Sequence, residues 1–248
     1  MVKLNMNHSK KITEMKIDYK FLESEFIDRP NRFLTRVKLN GNIINSHLPD
    51  PGRLKELLIP GVKLLLKKED SPNRKTQYST QAVYKNNTLI SLNTLMPNHF
   101  VSFLIKEKQL SFLKGWEYDK REVTYGKSRF DFQVKKNKKI KIIEVKSVTL
   151  VEDGIAKFPD AITDRGKKHL LHLMQMATNG LDVMIIFVVQ RPDAKSFQPE
   201  WKRDPEFSKT LLKYAQNGLP IHIIKMKMTK NNLEYLGEIP YQLNESLI

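Results

Sequence analysis

Short runs of alternating hydrophobic and polar residues dominate the first part of the chain, and this period of two predicts β-strands. Asn40-Gly41 separates two of these runs, and both residues tolerate the positive φ of a tight hairpin turn. A short helix, Arg53–Leu58, is predicted before a Pro-Gly stop. The predicted strands span about residues 19–28, 33–39, 42–48, 62–67, 77–85 and 88–92. Three strands, a short helix and further strands follow the order of an OB-fold-like small β-barrel.

The pattern changes after Leu95, where longer helical segments alternate with strands. Pro97 suits the first turn of a helix, and Phe100 and Leu104 lie on one side of it. Strands are predicted at about 117–125, 128–134, 140–148, 181–189 and 219–228, with helices at about 163–178 and 205–217 and a terminal hairpin. A strand, a helix and a second strand in succession predict a parallel crossover, hence an α/β domain with a mixed sheet.

These patterns predict three parts of the chain. Residues 1–17 are polar and lack sustained periodicity, so we expect a flexible leader. Residues 18–95 form the OB-fold-like domain, and residues 96–248 form the α/β domain. The length of 248 residues suits one large or two small domains.

Charge narrows the classes of partner. The chain carries 43 Lys and Arg against 27 Asp and Glu, a formal net charge of +16 with a pI near 9.8. Residues 1–95 hold 17 basic and 9 acidic side chains and the remainder 26 and 18, so each part contributes +8. A field of this sign spread over both parts favours a polyanionic partner such as nucleic acid.

Several classes of protein are excluded or disfavoured. No cysteine is present, which excludes a catalytic cysteine, a disulfide framework and a thiolate metal site. The longest apolar run, Val183–Val189, is far shorter than a membrane span, and the N-terminus lacks the apolar region of a signal peptide. The glycines form no nucleotide-binding fingerprint, so no nucleotide cofactor is implied. We expect a soluble cytoplasmic protein that does not bind membranes.

Two carboxylates and a lysine lie on consecutive predicted strands. Asp131 is predicted to point away from the side shared by Phe130 and Phe132, while Glu144 and Lys146 project from one face about 7 Å apart. Antiparallel pairing across the intervening lysine-rich turn would bring Asp131 beside Glu144. Two carboxylates suit Mg²⁺ or Mn²⁺, which takes its remaining oxygens from water and phosphate, and Lys146 would act on an attacking hydroxide. The alternative is a simple ion pair between Glu144 and Lys146.

The spacing of these three residues, Asp, twelve residues and then Glu-x-Lys, is that of a PD-(D/E)xK nuclease site. Longer blocks around them resemble the sugar fermentation stimulation protein (SfsA) family. They are SRFDF at 128–132, EVKSVTL at 144–150 and FPDAITDRGKKHL at 158–170, with NTL at 93–95 and EVTYG at 122–126 in support. The resemblance implies an N-terminal OB-fold domain, a C-terminal PD-(D/E)xK restriction-endonuclease-like domain and DNA binding. Two positions depart from the family pattern, Asp50 and Asp164, where Asn and Glu are frequent.

Five basic residues are candidates for contacts with nucleic acid. Arg165, Lys168 and His169 lie on the helix predicted directly after the Glu-x-Lys strand, opposite its leucines. Arg53 begins the short helix of the barrel, where exposed amides favour an anion, and Arg129 lies two residues before Asp131. A solvated polar face and a simple tight turn remain the alternatives for the helix and for Arg53.

The sequence supports three readings of function. The first is a DNA-binding, divalent-metal-dependent nuclease with Asp131 and Glu144 as metal ligands and Lys146 at the attacking water. The second is a noncatalytic, sequence-nonspecific DNA-binding regulator of sugar (maltose-type) metabolism genes. The third is an RNA-binding or ribosome-associated protein, for which basic charge and an OB-fold domain would serve equally. Each allows a homo-oligomer, and the sequence leaves the roles of Glu122 and Asp164 open.

Overall fold

Five strands near the N-terminus close into a small barrel. The computed structural model describes residues 13–71 and 73–244. Strand β2 pairs with β3 and β5, β3 pairs with β4, and β5 pairs with β6; a parallel pair between His47 and Ser79 joins β4 to β6 and closes the barrel. The strands up to this point are β1 (Glu14–Lys16), β2 (Leu22–Asn31), β3 (Leu34–Leu39), β4 (Asn42–His47), β5 (Lys63–Lys68) and β6 (Tyr78–Lys85). This pairing confirms the predicted OB-fold barrel.

Every second side chain of a barrel strand points inward and fills the barrel, as the period of two predicts. In β3, Thr35, Val37 and Leu39 are buried while the residues between them are exposed. The predicted hairpin turn is present, with Asn40 and Gly41 at φ values of 50° and 85°. The core of the barrel contains Phe26, Val37, Leu48, Leu54, Leu57, Leu64, Leu66, Val83, Ile90 and Leu92.

The helix predicted at Arg53–Leu58 is absent, which corrects the sequence analysis. Leu54 has a φ of 52°, a left-handed value that interrupts a right-handed helix at its second residue. The segment forms a turn instead, with the Leu54 carbonyl accepting hydrogen bonds from the amides of Leu57 and Leu58. Arg53 therefore does not begin a helix, and the anion site predicted from helix geometry is lost.

The C-terminal part of the chain is an α/β domain built on a mixed sheet. Strands β8, β9, β10, β13 and β15 lie in that order; β10, β13 and β15 are parallel, and β8 and β9 are antiparallel to their neighbours. Strand β7 (Thr88–Ser91) pairs with β6 of the barrel and with β15. The elements that follow it are α1 (Met96–Lys106), β8 (Glu117–Tyr125), β9 (Ser128–Lys136), β10 (Lys139–Val148), β11 (Val151–Glu152), β12 (Ile155–Phe158), α2 (Asp164–Thr178), β13 (Asp182–Val189), β14 (Ser196–Pro199), α3 (Pro205–Gln216), β15 (Ile221–Met228) and β16 (Asn232–Glu238). The predicted α/β domain with a mixed sheet is confirmed.

Hydrophobic clusters cover both faces of this sheet, which explains why seven of the eight residues of β13 are buried. On one face α1 packs on the sheet and on the outside of the barrel, so this cluster is shared by both parts of the chain. It includes Leu65, Ala82, Phe100, Leu104, Phe132, Ile143, Val145 and Met226. On the other face α2 and α3 cover Phe130, Ile142, Leu170, Leu173, Ile185, Phe187 and Phe207.

No helix within residues 13–71 and 73–244 is both long and apolar enough to cross a membrane.

The flexible leader predicted for residues 1–17 is wrong at its C-terminal end. Residues 1–12 lie outside the described part of the chain, but β1 pairs antiparallel with β16. Met15 and Ile17 pack against the cluster under α1. Burial of these two side chains offsets the entropy of ordering the strand, and three residues are too few to show this in a sequence pattern.

A polar junction joins the barrel to the α/β domain. The Asp50 carboxylate accepts from the amide of Gly52 at 2.8 Å, and Arg29 donates to the Gly52 carbonyl at 2.7 Å. From the other side, Asp160 accepts from the amide of Leu54 at 3.0 Å. Asp50 and Asp160 therefore hold the turn after β4 against the segment before α2.

We expect Gly52→Ala to destabilise this junction. A Cβ at residue 52 would lie 2.8 Å from Oδ1 of Asp50 and 2.9 Å from Oδ2 of Asp160, both held by backbone hydrogen bonds. Forcing them apart should lower the free energy of unfolding by about 1–3 kcal/mol, measured by urea denaturation. Pro51→Ala, at an exposed neighbour, is the control; equal loss in both variants would contradict the steric explanation.

Asp50 should also make stability depend on pH. Burial raises its pKa to about 6, and the nearby carboxylate of Asp160 acts in the same direction. Because the folded state favours the protonated acid, Asp50 contributes to the free energy of unfolding below about pH 4. This contribution is lost as the pH rises through 6. Asp50→Asn should therefore be more stable than the wild type at pH 8, by about 2–3 kcal/mol for a shift of roughly two pKa units. The advantage should shrink at pH 4, and a pH-independent difference would contradict this assignment.

Candidate functional site

The centre of the candidate site is Glu144, which is buried with 3% of its surface exposed. Its Oε1 atom lies 2.6 Å from Nζ of Lys146, two residues along β10, and 2.6 Å from Nδ1 of His169 on α2. Two side chains thus converge on one oxygen of the carboxylate. Oε2 is also buried and has no hydrogen-bond partner among the described residues.

Asp131 reaches the site from β9 at the point where the pairing of β9 with β10 ends. Its Oδ2 atom accepts a hydrogen bond of 2.7 Å from the amide of Val145. The paired residues of β9 and β10 end at Phe132 and Ile143, so the Asp131 side chain binds the β10 backbone where the ladder stops. Its Oδ1 atom accepts from Nδ2 of Asn98 on α1 at 2.6 Å. Both contacts fix the Asp131 carboxylate directly beside the Glu144 segment.

The prediction that Phe130 and Phe132 share one side of β9 is wrong. Phe130 packs with the cluster under α2, whereas Phe132 packs with the cluster under α1. The two rings therefore lie on opposite sides of the sheet, although regular alternation places residues i and i+2 on one side.

Electrostatics distinguish the two carboxylates. Burial and the nearby Glu144 raise the pKa of Asp131 to about 6. Burial alone would also raise the pKa of Glu144, but Lys146 and His169 outweigh it and hold that pKa below its usual value. A buried anion is therefore stabilised at Glu144, while Asp131 lacks a comparable cation.

This donor set fits a hard divalent cation. A cation would satisfy the unpartnered Oε2 of Glu144 and relieve the repulsion that raises the pKa of Asp131. Residues 13–71 and 73–244 contain no group of three or more His, Asp or Glu side chains arranged to hold a metal. Two carboxylates suit an ion such as Mg²⁺, which keeps several water or phosphate oxygens, and not a zinc site of four protein ligands.

His169 lies elsewhere than predicted. Thr163 caps α2 by accepting from the amide of Gly166 at 3.1 Å, and the second turn then directs His169 toward the sheet. His169 is only 5% exposed, and its ring packs on Phe130 with centroids 5.4 Å apart. The prediction that it contacts phosphate from an exposed basic face is wrong, because its hydrogen bond to Glu144 holds it inside the site.

Four other basic candidates remain on the surface. Arg53, Arg165 and Lys168 are exposed, and the Arg129 side chain is 62% exposed and lies 3.7 Å from Glu122. Glu122 also lies 3.8 Å from Arg121, which favours the ion-pair reading of this acid over a metal ligand.

Sequence reasoning missed Asn98 as a residue of the site. It follows Pro97 in the first turn of α1, and its contact with Asp131 joins residues 33 positions apart. A polar residue in a mostly apolar helix is a weak signal, because such residues are common in first turns. The contact depends on how α1 packs across the sheet.

Comparisons with known proteins agree with this architecture. Residues 27–92 match the family model described as SfsA N-terminal OB domain, and residues 95–232 match the sugar fermentation stimulation protein RE domain. A sugar fermentation stimulation protein homolog from Clostridium kluyveri is 38% identical over 223 residues, which is 90% of this chain and 97% of the relative. A homolog from Clostridium botulinum is 42% identical over 208 residues, 84% of this chain and 90% of the relative.

A solved structure extends the comparison to the fold. The structure of Pyrococcus furiosus SfsA in complex with Ca²⁺ matches with a TM-score of 0.85 at 26% identity, covering 92% of this chain and 98% of that one. The match spans both the barrel and the α/β domain. The chain belongs to the sugar fermentation stimulation protein family.

Proposed function

We propose that the protein binds DNA and hydrolyses phosphodiester bonds with a divalent metal, Mg²⁺ or Mn²⁺. One observation carries this proposal: two adjacent carboxylates, one with an unpartnered buried oxygen, lie beside a lysine in a chain of net charge +16. A buried carboxylate oxygen without a hydrogen-bond partner costs free energy, so this arrangement favours a ligand that satisfies Oε2 of Glu144.

Each residue of the site has a separate role. Asp131 and Glu144 would hold the cation, which when bound polarises the phosphoryl oxygen and offsets developing negative charge. Lys146 would orient and stabilise the attacking hydroxide from its place on the same strand. Asn98 holds Asp131, and His169 holds Glu144, so both act as positioning residues. The Ca²⁺ in the Pyrococcus furiosus relative supports a cation of this oxygen-seeking class.

Exposed basic side chains would bind the DNA backbone around this site. Arg165 and Lys168 lie on α2, the helix that carries His169, and Arg129 lies two residues from Asp131. Arg53 lies on the turn that meets the α/β domain. Their contacts with phosphate would be independent of sequence and would weaken with salt.

A noncatalytic DNA-binding regulator of sugar metabolism genes is the second candidate. It is favoured by the close contacts of Lys146 and His169 with Glu144, which partly neutralise that carboxylate without a metal. In this reading the same basic surface binds DNA, and the three residues only stabilise the sheet.

Incubation of the purified protein with end-labelled DNA separates the two candidates. Single-stranded DNA, duplex DNA and RNA would each be incubated with Mg²⁺, with Mn²⁺ or with EDTA. We expect cleavage of DNA with a divalent metal and none with EDTA. Binding without cleavage under every metal condition would support the regulator. Cleavage of RNA in preference to DNA would show that the substrate is RNA.

A further inference from the structure

A pocket of about 280 Å³ lies between the barrel and the α/β domain, next to the candidate catalytic strand. The barrel contributes Arg32, Asp50 and Gly52, and the α/β domain contributes Ser147 and Ile162. Ser147 directly follows Lys146 on β10. The pocket therefore lies along the same strand as the candidate site, beyond Lys146, and both domains contribute to its lining.

The lining of the pocket suits a flat polar ligand. Hydroxyl groups of Thr94, Ser147 and Thr149 provide donors and acceptors, and Val148 and Pro159 provide apolar walls. The volume is at the small end of the range of about 300–1000 Å³ that is usual for small-molecule sites. It is enough for one nucleobase and too small for a base pair with its backbone.

Charges at the pocket favour a nucleobase over a free phosphate inside it. Arg32 and Lys157 are balanced by Asp50 and Asp160, so the lining has no net positive charge. Buried carboxylates accept hydrogen bonds from amino groups of bases, but they repel phosphate. The exposed Arg32 can contact the backbone phosphate that accompanies the base.

Apolar side chains are exposed around the same pocket. Ile162, which lines it, is 73% exposed. Leu95 follows the lining residue Thr94 and is 60% exposed, while Phe33 follows Arg32 and is 55% exposed. Exposed aromatic and aliphatic side chains in a basic surface are the usual means of stacking on unpaired bases or of wedging between them.

We propose that this pocket receives one unpaired nucleobase of the strand to be cut, so that the substrate is single-stranded or locally unpaired DNA. The proposal rests on the nuclease function above and specifies its substrate. Base pairing must be absent or broken before a base can enter, and paying this cost selects against intact duplex. Ile162 and Phe33 contact neighbouring bases, and Arg32 contacts the phosphate beside the inserted base.

The test measures binding in EDTA, where hydrolysis plays no part. The probes are a 12-nucleotide single strand containing one 2-aminopurine and the blunt duplex of the same sequence. The pocket variant is Arg32→Ala with Ile162→Ala, both at exposed positions. The matched control is Lys38→Ala with Ile43→Ala, which removes the same charge and side chain at the far end of the β3–β4 hairpin.

Binding of the single strand to the wild type should change the fluorescence of 2-aminopurine. The pocket variant should bind the single strand about tenfold more weakly than the wild type and should not produce this change. Its affinity for the duplex should equal that of the control variant. Equal loss for single strand and duplex in the pocket variant, or no loss for either, would overturn the proposal. If the wild type prefers the single strand in this way but cuts no DNA with Mg²⁺ or Mn²⁺, only the nuclease function is contradicted.

Discussion

Lys146→Ala should reduce metal-dependent DNA cleavage by about 10²–10³-fold, the range seen when one preorganised group that stabilises a transition state is removed. Lys146 is the cation that lies 2.6 Å from Glu144, and it projects from β10, the strand that also contributes Ser147 and Val148 to the proposed base pocket. No other lysine or arginine of the described residues forms an ion pair with this carboxylate. The rate of single-turnover cleavage of end-labelled DNA in Mn²⁺ is the measurement.

Lys213→Ala is the control for this substitution. Lys213 is an exposed residue in the last turn of α3, and its loss changes the net charge equally. We expect its cleavage rate to stay within about twofold of the wild type, because a single distant surface charge is screened by salt. If Lys146→Ala cuts as fast as Lys213→Ala, Lys146 has no part in the chemistry.

Glu144→Gln should have the largest effect on stability. The amide would leave the side chains of Lys146 and His169 without their buried anion. Removing one partner of a buried ion pair costs about 3–5 kcal/mol, and the slight exposure of Lys146 places the expected loss near about 3 kcal/mol. Urea denaturation with and without Mn²⁺ measures this loss, and Mn²⁺ should stabilise the wild type but not the variant.

Glu206→Gln provides the comparison for an exposed pair. Glu206 lies 3.0 Å from Lys167, but 63% of its side chain is exposed, so its loss should change stability far less than the loss of Glu144. Equal stabilisation of wild type and Glu144→Gln by Mn²⁺ would show that Glu144 is not a ligand, whatever its structural contribution.

Local patterns predict the elements of this fold well, and long-range packing explains where they fail. The strand 117–125 and the helix from Thr163 are predicted almost to the residue, since the spacing of apolar residues and the turn residues that end an element are local signals. The predicted helix at Arg53–Leu58 is interrupted at Leu54, which has a left-handed φ and donates its amide to Asp160, more than a hundred residues away. No local propensity reports that contact.

The candidate site shows the same division. Glu144 and Lys146 are two apart on one strand, so their shared face follows from strand geometry alone. Asp131 reaches them only through the end of the ladder between β9 and β10, and His169 only through the packing of α2 on that sheet. Helical spacing grouped His169 with Arg165 on a polar face, but burial against Phe130 separates them. The motif predicts which residues belong to the site, but their contacts with one another follow only from the three-dimensional fold.

A calorimetric titration of Mn²⁺ into the wild type and Asp131→Asn tests the proposed metal site most directly. The substitution keeps the size of the side chain and one oxygen that can accept from the Val145 amide, but removes the charge that lies beside Glu144. We predict that the variant binds Mn²⁺ at least about tenfold more weakly and keeps its affinity for DNA in EDTA. Unchanged Mn²⁺ affinity, or a parallel loss of metal and DNA binding, would contradict a metal centre at Asp131 and Glu144.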